Sequence, residues 1–306
     1  MLINYSEHIN KLNDFRQGKT REALKLGHKE IDSSFRFVAG NMNFILGHNN
    51  VGKTHFTFYL MLLYSLKHKI KWLVFSSEND PVQLIKKLIE FIEGKPINKV
   101  EEKDYEESKD FVYNHFKFVD INRQYTYKQL LDLAEKLKEA WDYDGLLIDP
   151  INSLKKELKD TNGYEYNYVQ LTDIRIFCKK YNISTWICAH AVTEALRRKH
   201  GANHEYGGMT PPPTIGDSEG GAVNGNRCDD FLICHRYIAS PDAWMYTRLY
   251  VAKVKEMSLG YKPTSHESPI LFKSILNNVG FQVGGKNLIK YRTKKQLTID
   301  NTRKSI

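Results

Sequence analysis

Apolar residues fall along this chain in two rhythms. Short continuous runs at Asn43–Leu46, Lys71–Ser76, Gly145–Asp149 and Ser184–Ala189 read as strands buried on both faces. Between them lie helical stretches. His55–Leu66 is rich in Phe, Tyr and Leu and long enough for a helix, and Pro81–Gly94 repeats its apolar residues at helical spacing. Tyr127–Trp141 is amphipathic, with Leu130, Leu133, Leu137 and Trp141 facing inward, and Tyr168–Tyr181 is expected to be helical too. Glu101–Glu107 is an acidic stretch that suits a solvated helix face, and His115–Ile121 alternates like a strand. Strands alternating with helices imply an α/β fold whose mainly parallel sheet is flanked by helices.

Past Ala189 the rhythm changes. Thr193–Asn226 has no clear period and holds Gly207-Gly208, Pro211-Pro212-Pro213 and Gly220-Gly221, so a long irregular segment is expected there. Asp230–His235, Leu249–Lys255, Ile270–Ser274 and Gly280–Val283 follow as closely spaced strands, which predicts antiparallel pairing at the C-terminal edge of the sheet. The expected organisation is an arm or linker over 1–38 with a short helix at Tyr5–Phe15, a domain over 39–285, and a basic tail over 286–306 carrying Lys290, Arg292, Lys294, Lys295, Arg303 and Lys304. No internal repeat is visible.

Composition narrows the class only a little. A chain of 306 residues, 41% hydrophobic and 26% charged, is long enough for one large α/β domain or two small ones. No apolar run approaches a membrane span, and Met1-Leu2-Ile3-Asn4 lacks a signal peptide's pattern, so a cytoplasmic protein is expected. The net charge of +9 permits an anionic partner such as nucleic acid without requiring one. Cys178, Cys188, Cys228 and Cys234 show no paired spacing; Cys188 and Cys234 lie in apolar runs and suit buried, reduced thiols.

The chemistry centres on Gly47-His48-Asn49-Asn50-Val51-Gly52-Lys53-Thr54, two glycines five residues apart followed by Lys and Thr. That is the phosphate-binding P-loop pattern, and it lies between a strand and a helix as the pattern requires. Backbone N–H groups of Gly47, Asn50, Val51, Gly52, Lys53, Thr54 and His55, at the start of a helix, would form the anion nest for ATP. Lys53 would meet the β- and γ-phosphates and the Thr54 hydroxyl would meet Mg²⁺. Asp149 ends an apolar strand downstream, where a Walker B carboxylate would join Thr54 in the metal shell. Glu78 follows the second strand and has two open roles, the base that activates water or an exposed loop acid. His190 ends the strand after that of Asp149; taken alone it suits a core histidine, and beside a P-loop it suits a γ-phosphate contact.

These motifs, in this order, resemble the RecA-like core of hexameric replicative helicases, the DnaB and phage primase-helicase superfamily. The segment Leu26-Gly27-His28-Lys29-Glu30-Ile31-Asp32, with Gly40 after it, resembles the family's approach to the P-loop. Phe75-Ser76-Ser77-Glu78 is similar to its catalytic-glutamate motif, with Gln83-Leu84 downstream, and Asp149-Pro150-Ile151-Asn152 to its Walker B segment. His190 stands at the γ-phosphate sensor, Asp217–Asp230 resembles the glycine-containing DNA loop, and Ala252-Lys253-Val254-Lys255 with Gly260 resembles the element that reaches the neighbouring subunit's nucleotide.

The resemblance spans roughly residues 24–275 and implies a RecA-like ATPase that uses ATP and Mg²⁺. It also implies a hexameric ring, action on single-stranded DNA or a forked duplex in replication, and a primase or loader as further partner. In the ring, Glu78 would activate water, Lys253 and Lys255 would act across the interface, and Lys155, Lys156, Arg197, Arg198 and Lys199 would be available for DNA phosphates. Two features depart from the family. Lys255 stands where an arginine finger is usual, and a lysine lacks the planar fork that makes such a finger worth about 10³–10⁵ in rate. The residues ahead of the P-loop are also too few for the family's usual N-terminal domain, which would suit a phage or plasmid replicon. Two other readings share these motifs, a RecA-like recombinase and a regulatory or loader ATPase that does not unwind DNA.

Overall fold

A computed structural model describes residues 5–19, 21–157 and 162–289. The chain opens with helix α1 (Tyr5–Arg16) and a single turn, α2 (Lys29–Asp32). Strand β1 (Met42–Gly47) then leads through the P-loop into α3 (Lys53–His68). Next come β2 (Trp72–Ser76), α4 (Pro81–Glu93), α5 (Glu102–His115), β3 (Phe116–Phe118), α6 (Tyr127–Trp141), β4 (Gly145–Asp149), α7 (Gly163–Tyr181) and β5 (Ser184–His190). The long irregular segment holds only the short helices α8 (Thr193–Arg197) and α9 (Val223–Arg227). Strands β6 (Asp230–His235), β7 (Tyr246–Val254), β8 (Ile270–Ser274), β9 (Phe281–Val283) and β10 (Lys286–Asn287) complete the described chain.

Local chemistry sets several of these limits. Asp80 caps α4 by accepting from the Val82 N–H at 3.0 Å, Pro81 occupies its first turn, and Gly94 closes it in a left-handed conformation. Thr126 and Gln129 cap α6 reciprocally, side chain to backbone in each direction. Asn162 caps α7 by accepting from the Glu165 N–H at 2.8 Å, so that helix begins five residues ahead of the expected Tyr168.

The ten strands form one sheet in the order β10-β9-β8-β7-β6-β1-β5-β4-β2-β3. From β6 to β3 all neighbours are parallel, and β7 to β10 add an antiparallel edge. Alternate residues of each strand feed opposite faces. Ile45, Trp72, Val74, Trp186 and Leu232 pack under α3, α4 and α5, while Phe44, Leu46, Phe75, Ile148 and Ile233 pack against α6, α7 and α9. The core starts ahead of residue 39: Ile31, Phe35, Phe37 and Val38 are buried, with Phe35 edge-on to Trp186 and Phe37 edge-on to Trp72. It also runs past residue 285, because β10 pairs with β9 and Ile289 is buried. The basic positions of the expected tail, from Lys290 onward, lie outside the described residues.

Candidate nucleotide site

Parallel strands put their C-terminal ends on one edge of a sheet, and ligands in open α/β folds bind along that edge. Here the register aligns Gly47 of β1 with His190 of β5, and Ser76 of β2 with Asp149 of β4. The P-loop leaves the same edge. Asn50 and Gly52 both adopt left-handed conformations, φ 62° and 83°, so successive N–H groups turn inward at the start of α3. Gly47 is required by space, since a Cβ there would lie 2.8 Å from the Cys234 carbonyl oxygen. The loop borders an open cleft of about 1040 Å³, lined also by Glu78, Gln83, Lys86, Lys87 and Asn152.

Side chains converge inside it. Lys53 is buried, and its Nζ lies 3.2 Å from His190 Nδ1. On the other side of that ring, Nε2 is 3.3 Å from Glu78 Oε1. An ammonium group only donates, so Nδ1 is the acceptor and Nε2 carries the hydrogen donated to the carboxylate. His190 therefore links Lys53 to Glu78 as a neutral imidazole. Thr54 Oγ1 donates to Asp149 Oδ2 at 2.8 Å, and Ser76 Oγ lies 3.4 Å from the same oxygen. Asp149 is only 2% exposed; burial pushes its pKa up, opposed by the Thr54 hydroxyl and the Lys53 charge. A buried carboxylate aligned with a hydroxyl at the mouth of an anion nest fits a divalent cation, which would offset that desolvation.

The expected cleft residues Gly47, Asn50, Gly52, Lys53, Thr54, His55, Glu78, Asp149 and His190 thus gather at the P-loop edge. Val51 is buried beneath the loop. His55 packs edge-on to Phe91, and burial lowers its pKa to about 3. Lys253 and Lys255 do not join them. They lie at the opposite end of the sheet, where β7 pairs with the start of β6. Lys253 Nζ donates to the carbonyl oxygens of Gly225 and Cys228 at 2.6 and 2.9 Å. Lys255, half-exposed, lies 3.5 Å from the buried Asp229.

His48 and Asn152 lie within the sequence motifs without a role assigned to either, and both line the cleft, with Arg236 close beside it. His48 donates from Nε2 to the Pro211 carbonyl at 3.1 Å, which fastens the irregular segment to the P-loop. Asn152 donates to Glu219 at 2.8 Å across the cleft mouth. Arg236 follows β6 directly; its guanidinium approaches Gly52, stacks on Trp244 and donates to that residue's carbonyl. Arg236 could have been found from its place at the C-terminal end of a strand beside β1. Nothing local marks Asn152 and Glu219 as partners.

No family model and no curated protein matches this sequence. Solved structures do. The chain superposes on the ATPase domain of G40P with a TM-score of 0.73 at 12% identity, over 92% of this chain and 99% of that one. The fold is that of a DnaB-like helicase ATPase domain. A second match, a DnaB-like replicative helicase described with its interactions with primase, has a TM-score of 0.68 at 12% identity, over 92% of this chain and 67% of that chain. In this fold the cleft described above lies between the P-loop and the ends of β2, β4 and β5. Among the described residues no helix is long and apolar enough to cross a membrane.

Proposed function

We propose that this chain is an ATP-hydrolysing motor of the DnaB-like helicase type that translocates on single-stranded DNA. The observation that carries the reading is the convergence of Lys53, Thr54, Asp149, Glu78 and His190 on one nest of backbone N–H groups. In this reading the nest and Lys53 bind the β- and γ-phosphates, and Thr54 and Asp149 hold Mg²⁺, which supplies charge neutralisation at those phosphates when bound. Glu78 orients water in line with the γ-phosphorus and takes its proton. His190 positions Glu78, and the Pro211 and Glu219 contacts tie the 193–226 segment to the nucleotide's state.

The assembly proposed is a hexameric ring. Lys255, half-exposed at the sheet end away from its own cleft, supports action on a neighbour's nucleotide rather than its own. Lys253 would have to leave two carbonyls to do the same. DNA would pass the side built by the segments after β4 and β5, with a primase or loader as a further partner.

The test is ATP hydrolysis with and without single-stranded DNA, together with strand displacement on a forked duplex. Lys53→Ala is expected to abolish hydrolysis, and native turnover to rise with single-stranded DNA. Normal turnover in Lys53→Ala would overturn the site. Native hydrolysis indifferent to DNA would overturn the motor in favour of a regulatory ATPase, and electron micrographs of filaments on DNA would replace the ring with a recombinase.

A further inference from the structure

Four histidines gather where the irregular segment meets the sheet: His48 in the P-loop, His200 and His204 in the segment, and His235 at the end of β6. They join through two tyrosines. Tyr237 lies edge-on to His235 at 4.5 Å, its hydroxyl is 2.9 Å from His200 Nε2, and Tyr206 stacks on its ring at 3.9 Å. His204 lies face to face with His200 at 3.7 Å, and His48 stands edge-on to His235 at 5.9 Å. The fixed charge of the group is Arg248 of β7, which is buried. Its guanidinium lies over both tyrosine rings and donates to the Tyr206 hydroxyl at 2.7 Å. Arg198 and Lys199 add positive charge beside His48. Of the nearby acids, Glu205 accepts from Tyr206 and Asp217 accepts from Arg198.

The cluster has no place for another proton. His48 donates from Nε2 to the Pro211 carbonyl, and its Nδ1 is buried with no partner among the described residues. His235 is 2% exposed, and neither of its ring nitrogens has a partner among those residues. A protonated ring carries two N–H donors and a full charge; here at least one donor would be orphaned, with the Arg248 cation already in place. Burial accordingly lowers the pKa of His48 and His200 and takes that of His235 to about 3. Water supplies what the cluster lacks. Once the segment lifts away, the hydrated rings titrate near their ordinary 6.5.

We propose that this cluster is a pH-sensitive latch, which holds the 199–211 stretch against the P-loop and β6 while its imidazoles are neutral and releases it as they take protons. The latched pKa values lie below the free value, so the latch is fully engaged above pH 6.5 and weakens as pH falls through it. His235 alone, moving from about 3 to 6.5 on release, shifts the balance about 10-fold toward release between pH 7.5 and 5.5. Because His48 belongs to the P-loop and also ties Pro211, the latch connects proton concentration to the nucleotide cleft. It needs no DNA and no neighbouring subunit, so it stands or falls apart from the motor reading.

Amide hydrogen exchange of the full chain, read as protection factors at pH 7.5 and 5.5, tests this. His200, Gly208 and Met209 are the reporters, since their amides donate within the stretch, to the carbonyls of Met209, His200 and Tyr206. Their protection should fall at least about 10-fold at the lower pH, while amides of β1 and β5 hold theirs. In His235→Leu the fall should shrink by about 10-fold. In His200→Gln, which keeps a polar group toward Tyr237, it should shrink as well, and an unchanged Tm at pH 7.5 checks the fold of each variant. Should His235→Leu not fold, His200→Gln decides alone. Unchanged protection in the native chain, an equal fall in β1 and β5, or a fall of native size in every variant that folds would overturn the latch.

Discussion

Replacing His190 separates two jobs that its ring performs at once. Nδ1 accepts from Lys53 at 3.2 Å and Nε2–H donates to Glu78 at 3.3 Å, so one neutral imidazole spans a buried cation and a half-exposed carboxylate. A hydrogen bond to a charged group contributes about 1.5–3 kcal/mol, and the Lys53 bond belongs near the top of that range because Lys53 is buried. The Glu78 bond is solvent-screened and deserves less, about 1 kcal/mol or under. His190→Ala removes both. In the proposed site Lys53 then meets the phosphates without first leaving a partner, so ATP affinity should hold or tighten by up to about 100-fold. Glu78 loses its orientation, and kcat should fall about 10- to 100-fold, a fraction of the 10²–10⁴ typical of a positioned base. His190→Gln carries an acceptor and a donor on one planar group and should restore kcat to within about 5-fold of native. Steady-state hydrolysis with an independent measurement of nucleotide binding reads both quantities. The reasoning fails if His190→Ala raises KM at unchanged kcat, or if His190→Gln is as impaired as His190→Ala.

Two stability predictions follow from the core. A Cβ at Gly145 would run into the ring of Trp72, which is itself wedged edge-on between Trp186 and Phe37. Gly145→Ala should therefore cost about 1–3 kcal/mol, seen as a lower Tm with ATP binding intact well below it, and an unchanged Tm would refute the packing argument. Asp230 is buried with Tyr261 donating to it at 2.8 Å, and burial raises its pKa to about 6. Its folded pKa is above the unfolded value of 3.8, so the folded chain binds more protons between the two and this group's contribution to stability falls as pH rises from about 4 to 6. Asp230→Asn should stabilise the protein at pH 7.5 by about 1–3 kcal/mol and by much less at pH 4.5 in urea unfolding; an equal difference at both pH values would show that burial of the charge is not the cause.

What the sequence made legible follows from how locally each feature is encoded. Helix α6 spans the predicted Tyr127–Trp141 because its cap, Thr126 with Gln129, sits immediately beside its apolar stripe. Strands β4 and β6 match their predicted limits because each is a short apolar run bounded by polar or glycine residues, and β8 matches as an apolar run between Pro269 and Lys273-Ser274. Helix α7 starts ahead of its apolar pattern because Tyr164 and Tyr168 face solvent in its first turns and supply no inward period there. Strand β3 has only three residues, since α5 continues through His115 and takes the first position of the predicted run. The gathering of Asp149, Glu78 and His190 was legible in outline because parallel strands must present their C-terminal ends together.

The bonds that make those groups a working set were not legible. Lys53 to His190 spans 137 positions and Asn152 to Glu219 spans 67, and no local pattern aims such side chains at each other. The same holds throughout the 193–226 segment. It carries no period because little of it packs as an amphipathic element, and it is fastened by contacts scattered along it: Pro211 to His48, Glu219 to Asn152, His200 to Tyr237 and Tyr206 to Arg248, with the Glu219 N–H donating to the His190 carbonyl. Two of these contacts, Pro211 to His48 and Glu219 to Asn152, stand at the cleft, so a change there reaches the segment directly, whereas the sheet beneath it is buried on both faces and close-packed. The proposed motor would use that division: a rigid edge to fix the phosphates and, beside it, a segment whose contacts at the cleft respond when they leave.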